Sequence, residues 1–152
     1  MANAEHLTLV RQGSAAANSY ASEHPGEFFD LSGADLAGTD LQGCNLPEAN
    51  LAGANLSGAD LRKANLGGAD LRGATLRDAD ARGTALHRAK LQDADLRGIN
   101  LEPIGVGRQL MCVSANTFQN ARWDRARIEE VLAVLNLNRD WEIRYEIVPR
   151  AK

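Results

Sequence analysis

Leucine recurs at every fifth residue through the middle of the chain, from Leu31 to Leu101, and Ala81 is the one interruption. In an α-helix, which turns about 100° per residue, a five-residue step moves a side chain about 140° around the axis, so the leucines would not share a face. In a β-strand, successive residues alternate sides, and every second leucine would point into water. The pattern instead predicts short extended steps separated by bends, with each leucine pointing inward.

The residues around each leucine repeat as well. Of the fifteen centres, which are position 31 and every fifth residue to 101, ten have Ala two residues before them, twelve have Asp or Asn directly before, and nine have Gly two residues after. A large and a small apolar residue two positions apart fill a narrow interior. Asp or Asn can hydrogen-bond a turning backbone, and Gly allows a positive φ. Self-similarity at a fixed short period is typical of a repeat solenoid.

Tandem A(D/N)LxG units of this kind, as in "ANLAGANLSGADL" at 49–61, resemble the pentapeptide-repeat family over residues 29–108. The resemblance implies an all-β solenoid, a right-handed quadrilateral β-helix with four pentapeptides in each coil, so that 29–108 would form about four coils. The ends of such a rod would expose its interior and its unpaired backbone groups, so we expect a cap at each end.

Four sides also predict which outward side chains meet, because residues twenty positions apart would stack about 4.8 Å from each other. Asp40, Asp60 and Asp80 would then form a column of like charges, which costs energy unless cations lie beside it. The predicted neighbours of this column are Gln42, Arg62 and Arg82. Arg77 and Arg97 would stack on another face.

Residues 1–28 are predicted to form an N-terminal helical cap. The stretch 4–22 has the pattern of an amphipathic helix that ends before Pro25. Its apolar face would contain Leu7, Val10 and Ala21. Phe28 and Phe29 would close the interior of the first coil.

Residues 109–152 leave the plain pattern, and their first part has two interpretations. After a two-residue insertion at Gln109 and Leu110, residues 111–130 fit a new register that would give a fifth coil. The centres of that register are Val113, Phe118, Trp123 and Ile128. The alternative is a helix near 124–136 that begins at Asp124, an acceptable N-cap, and has an apolar stripe. That stripe consists of Ile128, Val131, Leu132 and Leu135.

The tail alternates apolar and charged residues with a period of two, which predicts a half-buried strand. Its apolar face would contain Trp141, Ile143, Tyr145 and Ile147. This face must be covered, either by the last coil and the preceding helix, as part of a C-terminal cap, or by the same strand of a second molecule. The second arrangement would make a homodimer through the C-terminal segment.

Composition narrows the class of protein. The chain has 152 residues, enough for one domain, and is 44% hydrophobic, but no Phe, Tyr or Trp lies between Asp30 and Thr117. No apolar run is long enough to cross a membrane, and the N-terminus lacks a signal-peptide hydrophobic region, so we predict a cytoplasmic protein.

The net charge of −3 conceals a segregation of charge along the chain: residues 12–61 hold seven acids and no Lys or Arg, whereas 62–97 hold eight bases and five acids. This asymmetry can steer a charged partner, unless the charges serve solubility alone.

The sequence offers no catalytic or metal-binding pattern. His6, His24 and His87 show no ligand spacing among themselves or with the cysteines, and His87 lies at an outward repeat position. Cys44 and Cys112 are expected to be free thiols. No nucleophile has a plausible base nearby in the sequence. We therefore predict a protein that is not an enzyme and holds no cofactor and no metal.

Two classes of function remain, and both use the surface of the rod. The first is a non-catalytic scaffold that binds a protein partner. The second follows from the resemblance: some pentapeptide-repeat proteins imitate duplex DNA and bind and protect type II topoisomerases such as gyrase. The candidate partner-binding residues are Asp35, Asp40, Asp60, Arg62, Arg72, Arg77, Arg82 and Arg97. Direct nucleic-acid binding is not expected, because the array offers no aromatic side chains on which bases could stack.

Overall fold

The computed structural model of the chain describes residues 1–101 and 120–124. Two short helices, α1 (Ala4–Arg11) and α2 (Ser14–Glu23), come first. They are followed by a continuous array of single-residue parallel β-bridges that runs from residue 30 to residue 100. Each extended step of the array pairs with the next coil through a single residue, as expected for a chain that bends once in every pentapeptide.

Every bridge within the array joins residues twenty positions apart, as Asp30 does with Asn50 and Asp80 with Asn100. Since the sequence period is five, each coil contains four pentapeptides and the rod has four sides. We number the faces by their centres: Leu31, Leu51, Leu71 and Leu91 define face 1; Leu36, Leu56, Leu76 and Leu96 face 2; Leu41, Leu61, Ala81 and Leu101 face 3; and Leu46, Leu66 and Leu86 face 4.

Backbone hydrogen bonds join each coil to the next. On face 1, the N–H of Leu31 donates to the carbonyl of Asn50 at 2.8 Å, and the N–H of Asn50 donates to the carbonyl of Phe29 at 2.8 Å. The corner is closed locally, because the N–H of Ala34 donates to the carbonyl of Leu31 at 3.1 Å. The pattern satisfies the buried backbone without a long strand.

The interior of the rod is filled by the centres and by the small residues two positions before them. The leucine centres from Leu31 to Leu96 are buried, and so are the alanines that accompany them. Cys44 is a buried free thiol in one of the alanine positions, and burial raises its pKa to about 11. Thr84 is also buried, and its hydroxyl donates to the carbonyl of Leu61 at 2.6 Å, which satisfies the one polar group at that level.

The N-terminal segment forms two helices where the sequence predicted one. Gly13 adopts a φ of 104°, a conformation that interrupts a helix and favours glycine, so α1 ends before it and α2 begins after it. Val10 is fully buried as predicted, and Ala17, which the prediction missed, is buried beside it in the same apolar cluster as the leucines. Leu7 and Ala21 are only partly buried against that cluster.

The helices also hydrogen-bond backbone groups at the free edge of the first coil. The N–H of Asp30 donates to Nδ1 of His6 at 3.0 Å, and the carbonyl of Asp30 accepts from the N–H of Asn3 at 2.9 Å. In later coils, the corresponding groups would bond to another coil. His6 is almost fully buried in this position, and the sequence pattern gave no indication of it.

Two more edge positions are bound in the same way. The guanidinium of Arg11 donates to the carbonyl of Asp35 at 2.8 Å. The side-chain amide of Asn18 donates to the carbonyl of Gly43 at 3.0 Å and accepts from the N–H of Asn45 at 2.7 Å. Polar side chains of α1 and α2 thus take the place of a preceding coil on three sides of the rod.

The two phenylalanines before the array do not act together. Phe29 is 3% exposed and contacts the rings of His6 and Tyr20 at 5.0 and 5.6 Å between centroids. Phe28 is 49% exposed, so the prediction that it closes the interior is wrong. The reason is the alternation along the chain: Phe29 occupies the inward position two before Leu31, and its neighbour must point outward.

Residues 120–124 lie against the rod on face 2. Arg122 forms a parallel bridge with Asp95, and Trp123 is partly buried against the apolar cluster. Trp123 therefore occupies the position of a centre. Arg122 follows Asp95 by 27 positions, which exceeds the twenty residues of a full coil by seven, whereas the sequence predicted an excess of two. The remainder of the predicted fifth coil, the helix near 124–136 and the 141–147 strand lie outside the described residues.

Five corners of the array, at the positions two after a centre, have a charged residue with a φ of 56–61° where most have glycine. These residues are Glu48, Lys63, Asp78, Arg88 and Asp93. Where the following coil is described, the residue twenty positions after a charged corner is glycine, and the side chain lies over it: Glu48 over Gly68, Lys63 over Gly83 and Asp78 over Gly98. A charged corner thus uses the space that the next coil's glycine leaves empty.

Replacing Leu66 by Asp should abolish cooperative unfolding of the rod. Leu66 is 0% exposed, and an unpaired carboxylate at this level costs several kcal/mol. Asn65→Asp is the matched control, because its side chain points outward and still can accept the N–H of Gly67. Thermal unfolding followed by circular dichroism should show a normal transition for Asn65→Asp. An unchanged melting temperature for Leu66→Asp would contradict the inward assignment.

Gly98→Ala should destabilise the rod more than Gly58→Ala. Both glycines have a positive φ, of 70° and 65°, so each substitution costs about 1 kcal/mol of backbone strain. A Cβ at Gly58 meets nothing, whereas a Cβ at Gly98 would overlap the Asp78 carboxylate, which adds about 1 kcal/mol.

The excess cost should disappear when Asp78 is replaced by Gly in the Gly98→Ala background. Denaturant unfolding of the two single variants and the double variant measures this coupling directly. Equal stabilities for Gly98→Ala and Gly58→Ala would show that charged corners do not depend on the glycine above them.

Candidate interaction surface

The predicted partner-binding residues lie on three different faces of the rod. Face 3 brings together Asp40, Asp60, Arg62 and Arg82, as predicted from the twenty-residue spacing. Arg72 lies alone among them on face 1. Asp35, Arg77 and Arg97 lie on face 2. The set is therefore not one continuous surface, and face 3 contains the largest connected part of it.

The arginines next to acidic residues form forked ion pairs with a constant geometry. In Asp60–Arg62, Nε donates to Oδ1 at 2.8 Å and Nη2 donates to Oδ2 at 2.5 Å. The backbone N–H of the same Arg62 donates to Oδ1 at 3.1 Å, so the carboxylate also closes the turn. The same fork occurs in Asp70–Arg72, Asp80–Arg82 and Asp95–Arg97.

These pairs change the acid–base properties of the surface. The hydrogen bonds from the arginine lower the pKa of each of the four carboxyls, against the opposing effect of their partial burial. The pKa of Arg62 is raised by its bond to Asp60 for the same reason. Exposed ion pairs contribute little to stability. Their consequence here is that both side chains are held in a fixed orientation.

On face 3 the pairs of successive coils are connected. Asp40 bridges to Asp60 and Asp60 to Asp80, which confirms the predicted column. Nη2 of Arg62 lies 2.5 Å from Oδ2 of Asp60, and its Nε lies 3.9 Å from Oδ2 of Asp80, so Arg62 neutralises charge in two successive coils. Asp40 has no such arginine, since Gln42 occupies the corresponding position and binds it only through its backbone N–H at 3.0 Å.

The carboxylates of the first coil lack these forks. Asp30, Asp35 and Asp40 are each followed two residues later by a residue that is not basic, and each accepts that residue's backbone N–H instead, at 3.1, 3.3 and 3.0 Å. The segregation seen in the sequence thus appears in three dimensions as an anionic first coil followed by coils whose acidic residues are largely paired.

Arg77 is a basic residue without such a fork, because Thr75 stands where the other arginines have Asp two residues before them. Within the described residues, its side chain takes part in no ion pair.

Sequence reasoning selected the arginines but missed two of their partners, Asp70 and Asp95. The missing signal was present as the tripeptide Asp-Leu-Arg at 60–62, 70–72 and 95–97, with Asp-Ala-Arg at 80–82. In a pentapeptide coil, the residues on either side of a centre point to the same side, so an acid and a base two apart must meet. The other candidates, Trp141, Ile143, Tyr145 and Ile147, lie outside the described residues.

In residues 1–101 and 120–124, no group of three or more His, Cys, Asp and Glu side chains is placed to hold a metal ion. The same residues contain no helix with the length and apolar character needed to cross a membrane.

Comparison with known proteins adds the following. The family model described as Pentapeptide repeats (8 copies) matches residues 30–68 and 64–102. No curated protein matches the chain. Among solved structures, alr5209, a pentapeptide repeat protein from Nostoc PCC 7120, is 32% identical, with a TM-score of 0.52 over 74% of this chain and 97% of that one.

Two further structures are more distant. AT2G44920, a pentapeptide repeat protein from the thylakoid lumen of Arabidopsis thaliana, is 27% identical, covers 69% of this chain and 72% of that one, and has a TM-score of 0.49. QnrB1, a plasmid-mediated fluoroquinolone resistance protein, is 16% identical over 70% of this chain and 63% of that one, with a TM-score of 0.34.

The repeat pattern, the four-sided coil, the family model and a 32% identical repeat protein covered almost to its full length all agree. The chain belongs to the pentapeptide-repeat family of right-handed β-helices.

Proposed function

We propose that this protein is a non-catalytic, cytoplasmic scaffold that binds a protein partner through face 3. The observation that supports it is the connected row of Asp40, Asp60, Arg62, Asp80 and Arg82, in which forked pairs hold charged side chains at a fixed spacing. A partner that meets this row pays little side-chain entropy, since the groups are already ordered before binding. Alternating fixed charges favour specificity and orientation of a complementary protein surface.

α1 and α2 would serve this scaffold as its N-terminal cap. Residues 109–152 would add a further coil and a C-terminal cap of helix and strand, with the 141–147 strand at the edge of the last coil or in a homodimer contact. For α1 and α2, the support is their hydrogen bonding to the edge of the first coil and the burial of Val10 and Ala17 against the leucines. Such a cap prevents edge-to-edge pairing of the rod with other chains.

Arg62→Gln combined with Arg82→Gln should abolish capture of the partner from a lysate of the source organism. The matched control is Arg72→Gln, which breaks the same kind of fork on face 1 and leaves face 3 intact. Affinity capture with quantitative mass spectrometry should identify a protein that the wild type and the control retain and the double variant loses. Equal capture by all three proteins would exclude face 3 as the binding surface.

A second candidate function is binding to a type II topoisomerase such as gyrase by imitation of DNA. The anionic first coil favours it, since Asp30, Asp35 and Asp40 have no basic residue two positions later to form the fork. The paired and basic coils above it argue against imitation along the whole rod. The likeness to QnrB1 is too distant in structure to bear on the choice.

A gyrase supercoiling assay, with and without a quinolone, tests this second function. If the protein imitates DNA, it should inhibit or protect the enzyme at micromolar concentration, and Asp35→Lys with Asp40→Lys should remove the effect. Asp78→Lys with Asp93→Lys is the control, because it reverses the same number of charges at corners of the later coils. No effect of the wild-type protein would rule out the function.

A further inference from the structure

Face 4 differs from the other three faces in its outward residues. The column directly before its centres consists of Asn45, Asn65 and Ala85, and these residues bridge one another along the rod. In the described coils, the corresponding column on every other face contains at least two aspartates. Face 4 therefore has no carboxylate in this column and needs no arginine to neutralise it.

The next column on face 4 is flat. It consists of Pro47, Gly67 and His87, which follow the centres by one residue. The His87 ring lies directly over Gly67, so that a Cβ at Gly67 would overlap it, and Gly67 is buried although it is an outward residue. His87 itself is half-buried at this outward position. The face thus presents a proline and an imidazole ring, and the ring covers the glycine between them.

The corner of face 4 has two opposite charges placed symmetrically about a glycine. Glu48, Gly68 and Arg88 stack at intervals of one coil, so the two charges lie roughly 10 Å apart along the rod axis. Both are exposed, and both occupy a left-handed backbone conformation, with φ of 56° and 58°, that disfavours a side chain. In the described part of the chain, neither takes part in an ion pair. Two strained, unpaired charges of opposite sign on one corner are left for a partner.

These features make face 4 complementary to itself when reversed. A twofold axis that crosses the face at the level of Gly67 and Gly68 exchanges the first coil of one molecule with the third coil of the other. It places Glu48 of each molecule opposite Arg88 of its partner copy. It also places Pro47 opposite His87, and Asn45 opposite Ala85. At the axis itself, Asn65 meets its own copy, and Gly67 lies beneath the His87 ring of its own molecule.

We propose that two copies of this chain associate side by side and antiparallel through face 4. The contact joins two Glu48–Arg88 pairs across the axis, and the two His87 rings meet near the axis, where each covers the Gly67 of its own molecule. This association is independent of the scaffold function proposed for face 3. A parallel arrangement of the same faces would place the Glu48 and Arg88 corner against the corner with Gly43, Lys63 and Gly83 and would form neither pair, so charge complementarity favours the antiparallel one.

The same geometry sets the strength of the association. Three coils give a contact only about 15 Å long. A contact of that length buries much less surface than the roughly 800 Å² per partner of a standard stable interface. Lys63, at the other corner of the face, would meet its own copy near the axis and oppose binding. The dimer should therefore be weak, with a dissociation constant in the micromolar range or above, and should dissociate as salt screens the charge pairs.

Charge reversal tests the pairing. Sedimentation equilibrium of the full chain at low ionic strength should show a monomer–dimer equilibrium. Glu48→Arg and Arg88→Glu should each weaken it at least tenfold, because each replaces two attractions by two repulsions. The double variant, with both reversals, should restore it, and so should an equimolar mixture of the two single variants. Both substitutions keep a non-glycine residue at the corner, and thermal unfolding verifies that each variant is folded.

Two further variants examine the register and the specificity of the contact. Lys63→Ala should tighten the dimer, since it removes the repulsion at the axis. Asp93→Arg, a charge reversal at a corner of face 1, should leave the equilibrium unchanged. The proposal is overturned if the wild type is monomeric up to about 1 mM, where even a weak interface would be populated. It is equally overturned if the single reversals dimerise like the wild type, or if neither the double variant nor the mixture recovers.

Discussion

The backbone hydrogen bonds that pair each residue with the one twenty positions later are the constraint on which the rest of the molecule depends, and each bond joins residues 19 or 21 positions apart. Bonds of 2.7–3.0 Å join each coil to the next on all four faces, and they hold successive coils at the spacing of paired strands. At that spacing, the interior has room for one large and one small side chain on each side. This is why Leu and Ala recur, and why Cys44 and Thr84 are tolerated only in the small positions.

The same bond forces outward side chains into columns. Any residue meets its counterpart one coil above and one coil below, so a charge cannot be placed without regard to the charges at those levels. The protein resolves this in two ways. Asp60 and Asp80 each bind an arginine two residues later, whereas Asn50 and Asn55 stand above Asp30 and Asp35 and donate their amides to them at 3.1 and 3.0 Å. Exposed ion pairs of this kind add little stability, and their effect is to define a surface.

The parts of the structure that were predictable from the sequence are those governed by the period. Once the coil holds four pentapeptides, the burial of Leu66 and the column of Asp40, Asp60 and Asp80 follow by counting. Features set by non-repeating contacts did not follow. The burial of His6 rests on its hydrogen bond with Asp30 and its ring contacts with Tyr20 and Phe29, and the bridge between Asp95 and Arg122 joins residues 27 positions apart. No periodicity encodes either contact.

The left-handed corners have a consequence for how such a rod can lengthen. A gene segment that encodes one coil can be duplicated in tandem, and the copy then lies directly on its template. A duplicate of a coil that contains Glu48 would place glutamate where Gly68 now stands, in the space that the first side chain occupies. Tandem copies of one coil therefore fit most easily when their corners are glycine. A charged corner fits best under a coil with glycine at the same corner, and the same preference applies to anyone who extends the array by design.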